Sequence, residues 1–400
     1  MKGQIMRQKL LHTPEGVRDI YSSECARKQV LQNNLHELLK KYGYHTIETP
    51  TFEFFDIFSQ EIGTTPSRDL YKFFDREGNT LVLRPDITPS VARCAAKYYG
   101  DEEFPVRLCY MGNTFINNSS YQGRLKETTQ SGAELIGDNS VAADGEILAL
   151  VVNALKVAGL QEFQIGVGHV DFFRGLAEAA GLEEETEQEL VELISNKNFF
   201  GVEELLDALH LPEDLRELFS MLGNTCMSEE LLLRAKKLSA PYPVILHALE
   251  HLEELTQVLK YYDVEKYVSI EPGMLSTYHY YTGIIFSGYT FGSGEPVAKG
   301  GRYDKLLTFF GKNAPAIGFA VAVDQLLAAL SRQKTEIPVS HNGILLVYQE
   351  QKQEEAIRQA IIMREQGHQV SLVKWQETKT QKDYQSYARR MNMTKIQFLC

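Results

Sequence analysis

The pattern of apolar and polar positions predicts a helix, an extended segment and a hairpin near the start of the chain. The sequence ECARKQVLQNNLHELLKK places leucines and a valine at helical spacing, and Gly43 stands where a C-terminal cap is expected. From residue 44 to residue 58 the chain is β-branched and aromatic around Pro50, which favours a strand or an edge segment. In LYKFFDREGNTLVLRPD two apolar runs flank turn-forming residues at 76–79, so a hairpin is predicted there.

Further strands are predicted by short aliphatic and aromatic runs. These runs are VRLCYMGNTF, ETTQSGAELIG, FQIGVG, YTGIIFSGYT and AIGFAVAV. Strands with helices placed between or after them indicate an α+β fold on a largely antiparallel sheet. We expect this core to comprise residues 1–171 and 263–332.

Two other parts of the chain have different patterns. Residues 172–262 have the helical period, many acidic residues and almost no strand signal, which predicts a helical insertion or a small helical domain with solvated charged faces. Residues 340–400 alternate strand and helix patterns in the order β-α-β-α-β. This order predicts a small parallel-sheet α/β module, which is short for an independent domain.

Composition narrows the functional classes. The chain has 41 Lys+Arg and 53 Asp+Glu, a net charge of −12, which argues weakly against a surface that neutralises phosphates. Its five cysteines are scattered and form no CxxC pair, so neither disulfides nor a metal site is expected, and a reduced cytoplasmic location fits best. We find no signal peptide and no apolar run of about 18 residues, so no membrane span is predicted.

Two pairs of residues are candidates for ligand binding. In LVLRPDITPSVAR, Asp86 and Thr88 present a carboxylate and a hydroxyl at a strand end, suited to an ammonium group. The pattern itself favours a simpler interpretation, in which Thr88 is the N-cap of a helix with Pro89 at its start. Gln130 and Glu134 share one strand face, which lines a pocket or faces solvent with equal probability.

Paired glycines and tyrosines complete the candidate chemistry. Gly300 and Gly301 permit close backbone approach, but they lack the spacing of a dinucleotide-binding or Walker motif, so they are weak evidence for a phosphate loop. Tyr280 and Tyr281 precede a predicted strand in STYHYYTGIIF. They are therefore expected at the beginning of that strand.

Taken together, these motifs resemble one family. The order TPEGVRD, YGYHTIETPTFE, LYKFFDREGNTLVLRPDITPSVAR, GRLKETTQSGAELIG, KGGRYDKL and AIGFAVAVDQL resembles the catalytic core of histidyl-tRNA synthetase, a class II synthetase. The resemblance covers roughly residues 10–330 and includes the helical insertion. It implies a six- or seven-stranded antiparallel sheet flanked by helices, and a homodimer formed through the segment around Pro50.

The chain departs from this family at the positions of three arginines. Ile116, Ser276 and Gln325 stand where the synthetase uses guanidinium groups on the reacting phosphate and carboxylate. Neither an aliphatic nor a neutral polar side chain replaces that planar charged donor, so we expect no adenylate formation. The histidine-pocket positions are kept, and the resemblance assigns ligand binding to Asp86, Thr88, Gln130, Glu134, Tyr280 and Tyr281. A relic pocket, retained because the fold packs around it, is the competing interpretation.

A synthetase-like chain with this pattern resembles the regulatory subunits of ATP phosphoribosyltransferase. The resemblance implies a non-catalytic subunit that needs no cofactor and partners the short-form catalytic subunit. It also implies histidine as the feedback effector and no role for tRNA. The C-terminal module then resembles a truncated anticodon-binding domain. Two alternatives are an active or repurposed synthetase-like ligase and an RNA-binding regulator; the missing arginines disfavour the first, and the net charge disfavours the second.

Overall fold

The apolar runs of the first 330 residues form eleven strands among the residues that the structure describes. In chain order they are β1 (His45–Thr46), β2 (Phe52–Phe54), β3 (Lys72–Phe74), β4 (Thr80–Leu83), β5 (Val106–Phe115), β6 (Glu127–Ile136), β7 (Phe163–His169), β8 (Val268–Ile270), β9 (Ile284–Thr290), β10 (Ala298–Arg302) and β11 (Ala316–Ala322). This computed structural model describes residues 11–58, 65–118, 124–275, 280–339 and 343–399. Ser276 and Cys400 lie outside the described residues.

Eight of these strands form one sheet in the order β1-β5-β6-β11-β10-β9-β7-β8. The six inner strands are antiparallel throughout, as predicted. The sheet exceeds the six or seven strands implied by the resemblance because the short strands β1 and β8 add a parallel pair at each edge. The predicted α+β fold is therefore confirmed, with a sheet that is mixed at its edges.

The extended segment from 44 to 58 is divided between two sheets. Strand β1 joins the edge of the large sheet, while β2 pairs with β4 in a separate three-stranded sheet, β2-β4-β3. The predicted hairpin is confirmed as β3 and β4. Asp75 accepts a hydrogen bond from the backbone N–H of Asn79 at 2.7 Å, and Gly78 has φ +87°, the left-handed conformation that favours glycine.

The first 262 residues also contain nine helices among the described residues. They are α1 (Ser22–Lys41), α2 (Thr88–Tyr98), α3 (Val141–Ala158), α4 (Val170–Ala180), α5 (Glu184–Ser195), α6 (Phe199–Ala208), α7 (Glu213–Ser220), α8 (Glu229–Leu238) and α9 (Pro243–Tyr261). Helix α3 is apolar on nearly all sides and is buried against β11 and α9. In the described residues no helix is both long and apolar enough to cross a membrane.

Helices α4 to α9 share a hydrophobic core of their own. Its members include Phe172, Leu176, Leu190, Leu218, Phe219, Ile245 and Leu249, all nearly inaccessible to solvent. The charged residues of these helices alternate with the buried ones at helical spacing. Each helix is therefore stabilised by the apolar side that it buries, as its sequence period predicts.

The chain divides into two compact units. The first contains residues 11–19 and Leu31–Glu336, including a tenth helix, α10 (Val323–Arg332). The second contains Ile20–Val30 and residues 337–399. Its elements follow the predicted β-α-β-α-β order: β12 (Gly343–Tyr348), α11 (Gln353–Glu365), β13 (Gln369–Lys374), α12 (Gln381–Arg390) and β14 (Met393–Leu399). All strand pairs are parallel, with β12 in the centre.

A buried ionic network joins the large sheet to two of the helices. Arg302, the last residue of β10, donates two hydrogen bonds to Asp144 on α3, one of them from Nε at 2.9 Å. Nε2 of His251 on α9 lies 2.7 Å from the other carboxylate oxygen of Asp144. Arg302 and Asp144 are both buried. Arg302 also donates to Asp304 at 3.2 Å, so loss of Asp144 would leave the buried guanidinium with one carboxylate partner in place of two. Removing a partner from a buried ion pair is strongly destabilising.

We expect Asp144→Asn to lower the free energy of unfolding by about 3–5 kcal/mol, the range observed when one partner of a buried ion pair is removed. The control is Asp207→Asn, which removes an exposed pair with Arg216 at 2.9 Å and should cost less than about 1 kcal/mol. Urea-induced unfolding at pH 7 measures both changes. Similar midpoints for the two variants would contradict a structural role for the network.

Candidate functional site

A cavity of about 750 Å³ opens on the large sheet of the first unit. Five of the six predicted ligand-binding residues line it, although they come from distant parts of the sequence: Asp86, Thr88, Gln130, Tyr280 and Tyr281. The cavity is therefore the place where the candidate residues meet. Its volume lies within the range of small-molecule binding sites.

The sixth predicted residue, Glu134, lies beneath the cavity wall and is completely buried. The hydroxyl of Thr88 donates to Oε1 at 2.9 Å, and the hydroxyl of Tyr303 donates to Oε2 at 2.5 Å. Glu134 therefore interacts with residues of the wall. Both of its oxygens have partners, which argues against the direct contact with a ligand that its sequence position suggests.

Two glycines make room for this buried group. Gly318 on β11 is paired with Glu134, and a Cβ atom there would lie 1.5 Å from Oε2. Gly132 on β6 is paired with Tyr110, and a Cβ atom there would lie 2.4 Å from the tyrosine hydroxyl. Larger residues at either position would displace the side chains beneath the cavity.

Burial raises the pKa of Glu134 to about 8, although hydrogen bonds from Tyr303 and Thr88 oppose the shift. Desolvation disfavours the charged form of a carboxyl, and the nearby carboxylate of Asp86 adds to the effect. Near neutral pH this carboxyl therefore holds its proton far more than an exposed glutamate does.

The start of α2 positions Asp86 and Thr88, but not as the simpler interpretation predicted. Thr88 is the first residue of the helix, so its assignment as the N-cap is wrong. Asp86 instead accepts from the backbone N–H groups of Ile87 at 2.7 Å and Thr88 at 3.4 Å through Oδ1. The Thr88 hydroxyl is used by Glu134 and is therefore unavailable as a helix cap.

Gln130 provides an unsatisfied acceptor at the cavity. It lies on β6 two pleats from Glu134, on the same face, as the strand period predicts. Its Oε1 atom is buried and has no hydrogen-bond partner among the described residues. A buried acceptor without a donor is unfavourable, so a ligand N–H group would complete this part of the wall.

Three tyrosine rings form one side of the cavity. The rings of Tyr280 and Tyr281 have centroids 4.7 Å apart, and Tyr280 meets Tyr303 edge to face at 5.9 Å. A Cβ atom on Gly301 would lie 2.7 Å from the ring of Tyr281. The close approach that the paired glycines permit is therefore to a tyrosine ring.

Arg84 fixes the backbone that leads into the cavity. Its guanidinium is buried and donates to the carbonyl oxygens of Asn113 and Thr49, each at 2.8 Å, and of Pro50 at 3.3 Å. Burial lowers its pKa below the usual range of an arginine. One side chain thus joins the end of β4 to β5 and to the segment around Pro50.

Two of the three positions that depart from the synthetase pattern also line the cavity, namely Ile116 and Gln325. The third, Ser276, lies outside the described residues. The wall also carries cations, none of which is among the ligand-binding residues predicted from the sequence. Lys126 and Lys299 line the cavity, and Arg124 is paired with Glu295 at 2.7 Å. Lys126 lies just before β6 and four residues before Gln130, so it could have been found by extending the two-residue period of the strand by one residue. No group of three or more potential metal ligands occurs among the described residues.

Comparisons with known proteins agree with this architecture. The family described as histidyl-tRNA synthetase matches residues 16–326. The ATP phosphoribosyltransferase regulatory subunit of Acetivibrio thermocellus is 40% identical over 360 residues, which cover 89% of this chain and 85% of that protein. The corresponding subunit of Ruminiclostridium cellulolyticum is 40% identical over 356 residues, again covering 89% and 85%. The chain belongs to the family of ATP phosphoribosyltransferase regulatory subunits.

Solved structures support the family assignment. A structure described as an ATP phosphoribosyltransferase regulatory subunit/histidyl-tRNA synthetase from Bacillus halodurans has a TM-score of 0.86 and 31% identity, and covers 98% of both chains. Histidyl-tRNA synthetase from Nostoc sp. PCC 7120 has a TM-score of 0.78 at 18% identity, covering 96% of this chain and 90% of its own, which shows a shared fold. The chain therefore shares the fold of histidyl-tRNA synthetase.

We expect Glu134→Gln to change how stability depends on pH. The folded carboxyl, with a pKa of about 8, keeps its proton between pH 4.5 and 8, whereas the unfolded one loses it near 4.5. The contribution of this group to the free energy of unfolding is therefore largest below pH 4.5. It decreases by about 1.4 kcal/mol per pH unit as the pH rises from 4.5 to 8. Glutamine cannot ionise, so the difference in stability between variant and wild type should move in the variant's favour as the pH rises from 6 to 8.

Urea-induced unfolding of both proteins at pH 6, 7 and 8 measures this difference. Glu204→Gln, an exposed substitution on α6, serves as the control and should follow the wild-type curve. Parallel curves for wild type and Glu134→Gln would show that the buried carboxyl titrates normally.

Proposed function

We propose that the chain is a regulatory subunit of ATP phosphoribosyltransferase, acting in histidine biosynthesis without catalysing the reaction itself. The observation that carries this proposal is the cavity wall. It keeps polar groups suited to an amino acid, but has Ile116 and Gln325 where the synthetase resemblance expects arginines. The two relatives at 40% identity are described as regulatory subunits, which supports the same function.

The active synthetase-like ligase is the weaker alternative. Losing one donor that stabilises a transition state typically lowers a rate by about 10²–10³. Isoleucine offers no donor, and glutamine offers an uncharged one in place of a permanent charge. Two such changes in one wall argue against adenylate formation.

We infer that the short-form catalytic subunit is the partner, that the complex works in the cytoplasm, and that histidine is the effector bound in the cavity. Asp86, fixed by two backbone N–H groups, supplies a carboxylate for the α-ammonium group, and the Oε1 of Gln130 supplies an acceptor. Tyr281 and Tyr280 supply aromatic surface for an imidazole. Glu134 acts by positioning Thr88 and Tyr303. Feedback requires only that histidine prefer one state of the complex, with a coupling of about 1–3 kcal/mol.

We expect histidine to inhibit the complex of this chain with the catalytic subunit, and Asp86→Asn to weaken that inhibition. Removing one charged partner of an ammonium group should raise the histidine concentration for half-inhibition by about tenfold or more. ATP phosphoribosyltransferase activity is measured across a histidine titration, with calorimetry on the isolated chain as a second readout.

The control variant is Asp101→Asn, which removes an exposed carboxylate outside the cavity wall and should be inhibited like wild type. Unchanged inhibition of the Asp86→Asn complex would favour the relic pocket. Equal inhibition of the catalytic subunit without this chain would place the histidine site elsewhere.

We also propose a homodimer through the segment from 44 to 58. On the three-stranded sheet, Phe54 and Phe73 both lie opposite Leu81 of β4, and Phe52 lies opposite Leu83, so all five side chains share one face. The exposed fractions of the three phenylalanines are 52% for Phe52, 55% for Phe54 and 37% for Phe73. An apolar sheet face of this kind indicates a protein interaction surface.

We expect Phe54→Glu to convert the dimer to a monomer, because two-fold symmetry introduces the charge twice into an apolar interface, where it would be desolvated without a partner. Sedimentation velocity at micromolar concentration distinguishes the two masses. Phe200→Glu places the same change on an exposed phenylalanine of α6 and should remain dimeric. A monomeric wild-type chain, or a dimeric Phe54→Glu variant, would contradict this interface.

A further inference from the structure

A second cavity, of about 350 Å³, lies among the helices of the first unit. Helices α8 and α9, strands β7 and β8 and the residues just before α8 form its walls. It shares no lining residue with the cavity proposed to bind histidine. No part of the proposed function uses it.

The wall of this second cavity combines apolar residues with polar ones, among them Gln257, Lys260 and Ser269. Its walls include Val167, Leu232, Leu252, Leu255, Leu259 and Val268. The hydroxyl of Thr256, which also lines it, donates to the carbonyl oxygen of Leu252 at 2.9 Å. A ligand here would therefore contact both hydrocarbon and polar groups. The volume is near the lower end of small-molecule sites, so the ligand must be small.

One carboxylate oxygen in the wall lacks a hydrogen-bond partner. Oε2 of Glu265, in the turn before β8, is buried and has no hydrogen-bond partner among the described residues. The other two acidic residues of the wall are paired: Glu229 lies 3.2 Å from Lys260, and Glu253 lies 2.6 Å from Lys236. A ligand that complements this wall therefore provides one hydrogen-bond donor, preferably a positively charged one.

We propose that this cavity binds a small organic cation with an apolar body, such as a primary amine on an aromatic or branched aliphatic skeleton. The ammonium group donates to Glu265, and the carbon skeleton packs against the leucines of α8 and α9. A metal ion fits less well, because divalent cations require several oxygen ligands and the wall supplies one unpaired carboxylate oxygen.

The probe for this proposal is phenethylammonium, with phenethyl alcohol as its neutral counterpart. Calorimetry on the full-length chain measures the affinity of each. Cys226 is exposed and lines the cavity, so its alkylation, followed by mass spectrometry, reports occupancy at the site. We expect saturable binding of the amine at millimolar concentrations, protection of Cys226, and binding of the alcohol that is about tenfold weaker or more, since hydrogen bonds to charged groups are the strong ones.

Glu265→Gln should weaken binding of the amine by about tenfold or more, because the charged partner is lost. The matched control is Glu254→Gln, an exposed glutamate of α9 outside the wall, which should bind like wild type. Absence of saturable binding, equal affinities for amine and alcohol, or equal affinities for wild type and Glu265→Gln would each overturn the proposal. The comparison of the two probes needs no variant and so stands even where a variant fails to fold. Asp86→Asn should bind the amine normally, which separates this site from the proposed histidine site.

Discussion

The buried carboxyl of Glu134 is the constraint on which the centre of this fold depends. It is hydrogen-bonded to Thr88 at the start of α2 and to Tyr303 just after β10, so one side chain joins three elements that are distant in sequence. The group fits only because Gly318 on the neighbouring strand has no side chain. Burial removes the carboxyl from water and raises its pKa to about 8. A buried polar group without a hydrogen-bond partner is costly, so the two hydrogen bonds of Glu134 are needed at this place. One buried carboxyl thus explains why hydroxyl groups occur at Thr88 and Tyr303 and why residue 318 is a glycine.

Local periodicity accounts for the parts of the structure that could be predicted from the sequence. The hairpin of β3 and β4, the antiparallel inner strands and the parallel C-terminal module all follow from patterns within a few residues. The shared face of Gln130 and Glu134 follows from the strand period alone. Long-range partners could not be predicted in this way. The contact of Thr88 with Glu134 spans 46 positions and that of Arg302 with Asp144 spans 158, and no local pattern encodes either. Thr88 was misassigned as a cap for this reason, because its hydroxyl is used by a distant strand.

The net charge of the chain is a poor guide to any one of its surfaces. Residues 172–262 contain 7 Lys+Arg and 18 Asp+Glu, a net charge of −11, which is nearly all of the total of −12. Residues 340–400 contain 9 Lys+Arg and 6 Asp+Glu, a net charge of +3. The large cavity likewise carries Lys126 and Lys299 on its wall. The acidic balance that disfavours phosphate or RNA contacts therefore lies mainly in the helical segment. The proposal that the chain lacks synthetase chemistry rests instead on Ile116 and Gln325 in the cavity wall.

Two kinds of residue form the large cavity, and they respond to different constraints. Glu134 and Gly318 are held by packing, because changing either would leave a buried polar group unpaired or two side chains in the same space. Such residues would be retained whether or not a ligand binds above them. Asp86 and Gln130 differ from these residues, since both line the cavity. The buried Oε1 of Gln130 has no hydrogen-bond partner among the described residues that would offset the cost of its burial. A pocket kept only by packing has no physical reason to bury an unsatisfied amide oxygen, whereas a pocket that binds an amino acid does. The distinction between a relic and a functional site therefore depends on these two wall residues and not on the buried framework beneath them.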